Sequence, residues 1–500
     1  LYGGDLAFSG MSILGMPLPS LGHSRFCSIA MTTGGPDAAD CYAEEINPDN
    51  PRQYRYDGKW RDITVRKETI RVKNGDSVKD QPVEIEYTHH GPIVAHKDGK
   101  AYALKLPYFD QVLLPDQVYK MITAKNLDEM KQAIGMLQLM EQNIMVATVD
   151  GDIYYVRNAR VPIRAAGFDY KRPLPGNTSA SEWLGIHPLE DLLQVHNPPQ
   201  GYMQNCNVSP QFMMKDSPFQ PQKWNERPYL FNGFTGDTQN RGDNPLHQRA
   251  AMCLELLDKA DKLTVEQAMS IAHSYDVYGA DVWQKMLGAA WKSAANTLNG
   301  NEQAKRMYEL IVAWDRRTEA DSTGAIAYKY WKDQFSPEVR LNDRAGFPPP
   351  KSVTEKDLLD NLDKGAQKLM ADFGRLDVAF GDVYRTGRRG TNRTWPLGGG
   401  SVEGIATPRA VSFDRIEGTK QFLARGGQTS TQIVQMTNPP RSWTYLPLGE
   451  SDHPESPHYD DQAEKLFSQA KMKSTYFLDK AELEKHVTSN KTLRRVVAAN

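Results

Sequence analysis

Cysteine is scarce in this 500-residue sequence. Its four cysteines are Cys27, Cys41, Cys206 and Cys253. They are too few and too scattered for a disulfide framework or for a paired CxxC metal site. The spacing is compatible with one or two disulfides and does not decide the redox compartment.

Long apolar runs and an excess of one charge are also missing. No stretch approaches the roughly 18–20 apolar residues that a bilayer span needs, which argues against a transmembrane helix. The 60 basic and 62 acidic residues give a net charge of −2, so nothing predicts nucleic acid or an anionic membrane as a partner. No P-loop, dinucleotide-binding fingerprint or zinc-finger spacing occurs. What remains, 39% hydrophobic and 24% charged residues, is typical of a large globular enzyme or binding protein.

The first part of the chain has the pattern of β-strands. Polar and apolar residues alternate over 61–73, the turn Asn74-Gly75 follows, and 83–87 supplies a partner strand. This pattern predicts a half-buried hairpin. A second hairpin is predicted around Asp150-Gly151, and residues 126–140 show helical spacing.

The middle of the chain reads as loops and then helices. Residues 165–245 are rich in proline and irregular, which in a compact protein is typical of segments that surround a site. Residues 247–370 turn helical, with a capping box at Thr264 and Gln267, a helical face carrying Met307 and Ile311, and a helix over 354–370.

The last part of the chain returns to strands, with a hairpin at 432–446 and a short helix at 460–470. We therefore predict an α+β protein, one large domain over 1–500 whose sheets are completed by both chain ends. Its parts are a β-rich region with site loops (1–240), a mainly helical region (241–375) and returning strands (376–500).

Residues 22–45 hold the first candidate chemistry. Gly22-His23-Ser24-Arg25-Phe26 nearly matches the nucleophile elbow G-x-S-x-G, but Phe26 replaces the last glycine and no helical pattern follows. A structural turn is therefore favoured over a nucleophilic Ser24. Asp37 and Asp40 are spaced to bind a cation or to cap a turn.

Three further motifs have both a functional and a structural interpretation. His453 to Asp461 contains two histidines and several carboxylates, but its prolines exclude an H-E-x-x-H zinc helix, so a polar surface loop is favoured. His89-His90 before Gly91-Pro92 offers a general base, although histidines at such turns usually bond to the backbone. In Asn205-Cys206-Asn207 an amide side chain can stabilise an oxyanion, whereas Cys206 as a nucleophile needs a base that the sequence does not identify.

Taken in order over nearly the whole chain, these segments resemble the large β chain of the penicillin acylase family of N-terminal nucleophile hydrolases. The end of the chain is more similar to the acyl-homoserine lactone and aculeacin acylase branch. The segments that carry the resemblance are Gly22-His23, Asp37, Asp40-Cys-Tyr-Ala-Glu44, Asn50-Pro51, Gly58-Lys59-Trp60, Thr88-His-His-Gly91-Pro92, Asp150-Gly-Asp-Ile153, Pro173-Leu-Pro-Gly176, Gly201-Tyr202, Asn205-Cys-Asn207, Ser209-Pro210, Arg249, Trp314-Asp315, Asp321-Ser322, Phe380-Gly381-Asp382-Val383 and Gly449-Glu-Ser-Asp.

The resemblance implies a four-layer αββα fold and hydrolysis of an N-acyl amide such as a penicillin, an N-acyl-homoserine lactone or a lipopeptide. Such enzymes arise by self-cleavage into a small α chain and a large β chain. A Ser at the new N-terminus attacks, with its own α-amino group as base. By resemblance Leu1 falls a few tens of residues after that Ser, so the nucleophile is expected outside this chain as given. The alternative is a catalytically inactive acyl-ligand binding protein on the same scaffold.

The resemblance also implies site residues. The oxyanion hole would use the backbone N–H of Thr33 and the side-chain amide of Asn207, with Arg249 near the nucleophile, where it orients the asparagine and the amine end of the substrate. The acyl pocket would be lined by Leu21, Met31, Gly35 and Gln142, in which Gly35 leaves space for a bulky acyl group and Gln142 adds a polar wall.

A structural Ca²⁺ is expected on Asp37, Asp40 and the carbonyls of Ala39 and Tyr170, all hard oxygen ligands. One more ligand would come from the small α chain, and another has no identified counterpart because residues 217–243 look expanded. No organic cofactor, nucleic acid or membrane span is expected. The expected partners are the small α chain and a small acyl amide, and the expected location is periplasmic or secreted.

Overall fold

A seven-stranded antiparallel sheet, called the central sheet below, organises the N-terminal half. The computed structural model describes residues 2–3, 6–13, 15–109, 111–231, 246–294, 301–337, 339, 352–402 and 404–490. In spatial order the strands of the central sheet are Tyr2–Gly3, Leu6–Met11, Leu21–Ser24, Cys27–Thr33, Gln142–Thr148, Ile153–Asn158 and Gln194–His196. The predicted hairpin around Asp150-Gly151 is confirmed, and it lies inside this sheet.

Two helices cover one face of the central sheet, and their apolar residues share its core. They are Leu114–Thr123 and Leu127–Ile134. The predicted helix at 126–140 is confirmed but shorter. Asn126 caps its start by accepting a hydrogen bond from the Glu129 amide. It ends early because Gly135 follows and Leu137 adopts a left-handed φ of +52°, which a helix cannot contain.

A three-stranded sheet, the hairpin sheet, faces the central sheet. It consists of Thr431–Gln435, Arg441–Tyr445 and Lys473–Ser474, so the predicted hairpin at 432–446 is confirmed. His23 joins the two sheets, because its Nε2 lies 2.7 Å from Ser442 Oγ. Helix Val265–Ala272 lies against Thr431–Gln435. The order helix, sheet, sheet, helix agrees with the predicted α+β class.

The helical region has its own core around Trp283 and Trp331. Thr264 forms the predicted capping box with Gln267, and Met307 and Ile311 are fully buried as their spacing predicts. The described helices from Pro228 onward are Pro228–Phe231, Gln248–Asp258, Val265–Ala272, Ala280–Ser293, Glu302–Ala313, Thr323–Lys332, Glu355–Phe373, Phe380–Val383 and Lys480–Glu484. The predicted helix at 460–470 is a π-helix, Ala463–Phe467. No helix in the described ranges is long and apolar enough to cross a membrane.

The first predicted hairpin is confirmed in its strands, Thr64–Asn74 and Ser77–Tyr87, but not in its burial. Most of its side chains are exposed, including Ile70 and Val78. It forms a two-stranded sheet of its own, and within the described chain only the base of the hairpin packs against other elements. Alternation predicted the strands correctly, but a buried face requires a neighbouring layer.

The remaining strands lie in smaller sheets. One sheet runs Ile93–Lys97, Lys100–Lys105, Asp40–Asn47, Asn50–Tyr56, Lys59–Asp62, with Leu174–Pro175 paired to Asp40–Asn47; another runs Thr394–Pro396, Tyr384–Gly387, Phe422–Gly427, Val411–Arg415. Two short pairs are Pro162–Ile163 with Gly185–Ile186 and Ser401–Val402 with Ile405–Ala406. The loop-rich prediction for 165–245 holds over 165–231, which contains short 3₁₀ turns; residues 232–245 lie outside the described residues.

Candidate functional site

Three residues that the family resemblance assigns to one site come together at the end of strand Cys27–Thr33. The Asn207 amide Nδ2 donates to the carbonyl of Thr33 at 2.9 Å. Asn207 Oδ1 accepts from an Arg249 guanidinium nitrogen, also at 2.9 Å. Because one end of the amide faces a carbonyl and the other a guanidinium, its orientation is fixed by charge. The structure therefore gives Arg249 the contact with Asn207 that an orienting role requires.

Side chains of the central sheet hold the Asn207 loop in place. Asn205 Oδ1 accepts from Thr32 Oγ1 at 2.6 Å and from the Asn207 backbone N–H at 2.9 Å. Asn143, fully buried on strand Gln142–Thr148, donates to Thr32 Oγ1 at 3.2 Å. Asn207 itself has a φ of +61°, a conformation that asparagine tolerates better than most residues. Sequence reasoning missed Asn143, although a polar residue inside an apolar strand was the available signal.

His247 positions Arg249 by capping the helix that carries it. His247 Nδ1 accepts from the Ala250 amide at 3.2 Å, and Nε2 lies 3.0 Å from the Cys206 carbonyl. Nδ1 is therefore an acceptor and Nε2–H a donor, which is the neutral imidazole. Burial lowers the pKa of His247 to about 4, and the charge of Arg249 acts in the same direction.

We expect His247 to make stability fall as the solution is acidified. In the unfolded chain the His247 side chain is protonated below its ordinary pKa of about 6.5, whereas in the folded chain it stays neutral down to about pH 4. Stability from this group is complete above about pH 6.5 and is lost between there and about pH 4. His247→Asn keeps a capping side chain and removes the titration. Urea unfolding at pH 6 and pH 5 should show a pH slope smaller by about 1 kcal/mol per unit in the variant; equal slopes would contradict this assignment.

Two of the four cysteines meet beside this site. The sulfur atoms of Cys206 and Cys253 are 3.4 Å apart, and both are thiols in this structure. The Cys253 thiol and the nearby Arg249 charge lower the pKa of Cys206, while the same contact and burial raise the pKa of Cys253. The carbonyl of Cys206 also accepts from Arg249 at 2.5 Å. The spacing in sequence did not predict this pair.

A cavity of about 610 Å³ lies between the central sheet and the hairpin sheet. Leu21 and Met31, both assigned to an acyl pocket, line it on the central-sheet side. Its wall mixes apolar side chains with hydroxyl and amide side chains, which include Ser9, Met11, Ser28, Gln432, Val434 and Thr444, and it also carries the charged residues Glu450 and Lys473. The cavity is therefore of a size and character that suit an acyl group.

The other two predicted pocket residues lie at the neighbouring strand end. Gln142 pairs with Thr33 across the sheet. The interpretation that Gly35 leaves room for a bulky acyl group is wrong, because a Cβ at Gly35 would lie 2.5 Å from Glu141 Cα and 2.7 Å from the Asn158 carbonyl oxygen. Glycine is needed there for a close approach of two backbones. Neither residue is among the described residues that line the cavity.

Asp37 and Asp40 also come together, around Arg164. The Arg164 guanidinium donates to Asp40 Oδ2 at 2.9 Å and to the carbonyls of Asp37 and Ala39 at 3.0 and 3.3 Å. Trp183 Nε1 donates to the same Asp40 oxygen at 2.7 Å. Asp40 is buried, so these donors satisfy a carboxylate that water does not reach. Sequence reasoning identified the acceptors and missed both donors, which lie 124 and 143 residues away from Asp40.

This cluster has the composition that a cation site needs. Asp37, Ala39 and Asp40 all contact Arg164, and the Tyr170 ring lies 5.2 Å from the same guanidinium. Burial raises the pKa of Asp37 despite the attraction of Arg164, and repulsion from Asp40 adds to the rise. The cluster holds two carboxylates, of Asp37 and Asp40, and one guanidinium, and oxygen ligands of this kind suit a hard cation.

Ser24 is a structural residue. Its Oγ accepts hydrogen bonds from the backbone N–H groups of Phe26 and Cys27, both at 3.1 Å. His23 points its Nε2 at Ser442 instead, so no base contacts the Ser24 hydroxyl through that nitrogen. The favoured interpretation of residues 22–26 as a turn is confirmed by these contacts.

The two histidine motifs behave differently from each other. In the 453–461 loop, His458 pairs with Asp461 at 3.1 Å on the exposed surface, as a polar loop would. His89 and His90 do not simply bond to the backbone, because the side chains of both contact Glu182 at 2.9 Å. The structural interpretation of that turn was therefore incomplete.

Comparison with known proteins gives one family. The family model described as penicillin amidase matches residues 1–482. The penicillin acylase 2 proenzyme of Pseudomonas sp. (strain SE83) is 24% identical over 495 residues, which cover 91% of this chain and 59% of that protein. The acyl-homoserine lactone acylase PvdQ of Pseudomonas savastanoi pv. phaseolicola is 22% identical over 510 residues, covering 92% and 62%. Penicillin G acylase of Escherichia coli is 27% identical over 328 residues, covering 63% and 34%.

The chain thus spans about a third to three-fifths of the length of these curated relatives. Among solved structures, thermostable penicillin G acylase from Alcaligenes faecalis matches 100% of this chain and 94% of its own, with a TM-score of 0.65 and 20% identity. At that identity the likeness shows a shared fold.

Proposed function

This chain belongs to the penicillin amidase family, and from that premise we propose that the protein hydrolyses an N-acyl amide bond to release an acid and an amine. The predicted N-terminal nucleophile hydrolase fold is confirmed by the structural likeness. The observation that supports the proposed reaction is the contact of Asn207 with both Thr33 and Arg249.

In this proposal the Asn207 amide stabilises the negative oxygen that forms when the amide carbonyl is attacked. An amide NH₂ group has two protons, and only one is used by the Thr33 carbonyl. The second proton and the Thr33 backbone N–H are the proposed oxyanion donors. Arg249 holds the amide so that its NH₂ group, and not its oxygen, faces the substrate.

The proposed nucleophile is the hydroxyl of an N-terminal Ser that lies outside these 500 residues. The α-amino group takes the proton from the hydroxyl as the oxygen attacks, and it passes that proton to the departing amine, which leaves the acyl group as an ester on the Ser. Water then hydrolyses the ester and releases the acid. One relative is named a proenzyme, which supports a precursor cut into a small α chain and this large chain. We propose the periplasm or the exterior as the location on the resemblance alone.

The acyl group is proposed to enter the cavity lined by Leu21 and Met31. Its apolar and hydroxyl-bearing wall accepts either an aliphatic or an arylacetyl chain, and the relatives are named for both penicillin and acyl-homoserine lactone substrates.

The test uses the full-length protein, matured and with its new N-terminus verified by mass spectrometry. Phenylacetyl amides and N-acyl-homoserine lactones of graded chain length are offered, and released amine is measured. We expect amine from at least one class. Tight binding of these compounds without amine release, in protein with an intact N-terminal Ser, would favour the inactive acyl-ligand binding protein.

We also propose that Ca²⁺ binds Asp37, Asp40 and the carbonyls of Ala39 and Tyr170. A ligand that binds only the folded state stabilises it by about 2.7 kcal/mol at one hundred times its Kd. Adding Ca²⁺ to chelator-treated protein should therefore raise the Tm by about 2–3 °C in the wild type and much less in Asp37→Asn. Asp281→Asn, at an exposed aspartate paired with Lys285 in the helical region, is the control and should keep the full shift. If Ca²⁺ does not change the Tm, the calcium proposal is wrong, and Arg164 is the group that balances the Asp37 and Asp40 carboxylates.

A further inference from the structure

A second cluster of ligand-type side chains lies apart from the residues assigned above. Glu182 Oε1 is 2.9 Å from His89 Nε2 and 2.9 Å from His90 Nε2. The three ligand atoms all lie within 4.8 Å of one another, and no other trio of His, Cys, Asp or Glu in the described ranges does so. Two adjacent histidines of one turn thus converge on one carboxylate oxygen from a distant segment.

The outer nitrogens of both histidines are already held. His90 Nδ1 lies 2.7 Å from Glu44 Oε1, with both side chains fully buried. His89 Nδ1 lies 3.0 Å from the Tyr54 hydroxyl. Imidazoles that bind a metal through Nε2 are oriented in this way, by a carboxylate or another polar group on Nδ1. With both Nδ1 atoms bonded elsewhere, both Nε2 atoms face the same region beside Glu182 Oε1.

The ring planes and the carboxylate are fixed as well. The Tyr42 ring stacks on His90 with centroids 3.7 Å apart and 9° between the planes. Lys105 Nζ binds the other oxygen of Glu182 at 2.6 Å. Only Oε1 of Glu182 is thereby left to face the histidines, which suits a ligand that binds through one oxygen.

We propose that His89, His90 and Glu182 bind one divalent transition-metal ion, with Zn²⁺ as the best match. Two histidines and one carboxylate form a ligand set that zinc sites use. Tetrahedral zinc with bonds of about 2.0–2.1 Å places ligand atoms about 3.3 Å apart, so each Nε2 to Oε1 distance must open by only about 0.4 Å. His89 is partly exposed, so water reaches the fourth position.

The ion would tie together two segments that are distant in sequence, and a third is joined to them through Glu44. Glu44, the outer partner of His90, lies on strand Asp40–Asn47, the histidines form the turn after strand Ser77–Tyr87, and Glu182 follows the 3₁₀ turn Ser179–Ser181. The role is structural in this inference and does not depend on the proposed amide hydrolysis. Without a metal the same side chains form a network of charged hydrogen bonds, and the experiment must separate the two states.

The experiment titrates Zn²⁺, and Co²⁺ as a spectroscopic probe, into untagged full-length protein that was treated with chelator. We expect the wild-type protein to bind one Zn²⁺ per chain and, with Co²⁺, to show the visible absorption of a tetrahedral site. His89→Ala should lose both the bound ion and the absorption. His96→Ala is the matched control, because His96 also contacts a glutamate, Glu86 at 2.8 Å, but at an exposed site without a third ligand. It should bind as the wild type does.

A second variant keeps the inference testable should His89→Ala fold poorly. Tyr54→Phe removes only the hydroxyl that orients His89 and should weaken Zn²⁺ binding by about 10-fold or more. Wild-type protein that binds no Zn²⁺ would overturn the inference. So would binding that is equal in the wild type, His89→Ala and Tyr54→Phe, because the ion would then lie elsewhere.

Discussion

Asn207→Ala is expected to lower kcat/KM for acyl amide hydrolysis by about 10²–10³-fold, which corresponds to about 2.7–4 kcal/mol of transition-state stabilisation. The reason is the loss of an amide donor that Arg249 and Thr33 hold in one orientation. The effect should appear mainly in kcat, because the oxyanion exists only after the carbonyl is attacked.

The backbone at Asn207 requires a second variant. With φ at +61°, alanine is strained there and glycine is not. Asn207→Gly should therefore lose the same activity while keeping the wild-type Tm, which separates the amide from the strain. The control is Asn177→Ala, which removes an exposed amide that bonds to Glu45. Unchanged turnover in Asn207→Gly would remove Asn207 from the reaction.

Oxidation of Cys206 and Cys253 to a disulfide is expected to raise the free energy of unfolding by about 4 kcal/mol. The two residues are 47 positions apart, and closing a loop of that length in the unfolded chain gives this value in the chain-entropy description. The sulfur atoms must approach from 3.4 Å to about 2.05 Å, a small movement for two side chains. The two thiols lose two protons and two electrons to a thiol–disulfide oxidant such as oxidised glutathione.

Peptide mapping without reductant should find the Cys206–Cys253 pair in the oxidised protein. Urea unfolding with and without reductant should then differ by about 4 kcal/mol in the wild type. The difference should vanish in Cys253→Ser and persist in Cys41→Ser, since Cys41 lies on strand Asp40–Asn47, whereas Cys253 lies on helix Gln248–Asp258 and Cys206 in a loop. If the oxidised wild-type protein, with its disulfide verified, has the same free energy of unfolding with and without reductant, the expectation is wrong. The bond would also restrain the backbone next to Asn207, so both forms are to be assayed.

Local sequence patterns predicted the elements of this fold well. Alternation and turn residues identified the hairpins at 61–87, 144–156 and 432–446, and the capping box at Thr264 identified a helix start. Such signals act within a few residues along the chain, where backbone geometry and side-chain periodicity decide the outcome. Burial was predicted less well, because the face that a strand buries depends on a layer from elsewhere in the chain.

The site residues Thr33, Asn207 and Arg249 were identified through resemblance, and only the structure shows how they touch. Thr33 and Asn207 are 174 residues apart, and no local pattern reports on a contact of that range. The same applies to Arg164 between Asp37 and Asp40, and to the thiols of Cys206 and Cys253.

What the sequence by itself determined is the class of fold, the order of strands and helices and the residues capable of chemistry. Tertiary structure alone decided that Gly35 serves a close backbone approach, that Ser24 caps a turn, and that His89 and His90 face Glu182. The physical reason is that hydrogen bonds and ion pairs act over about 3 Å. Which groups come within that distance is settled by how sheets, helices and loops pack, and not by their separation along the chain.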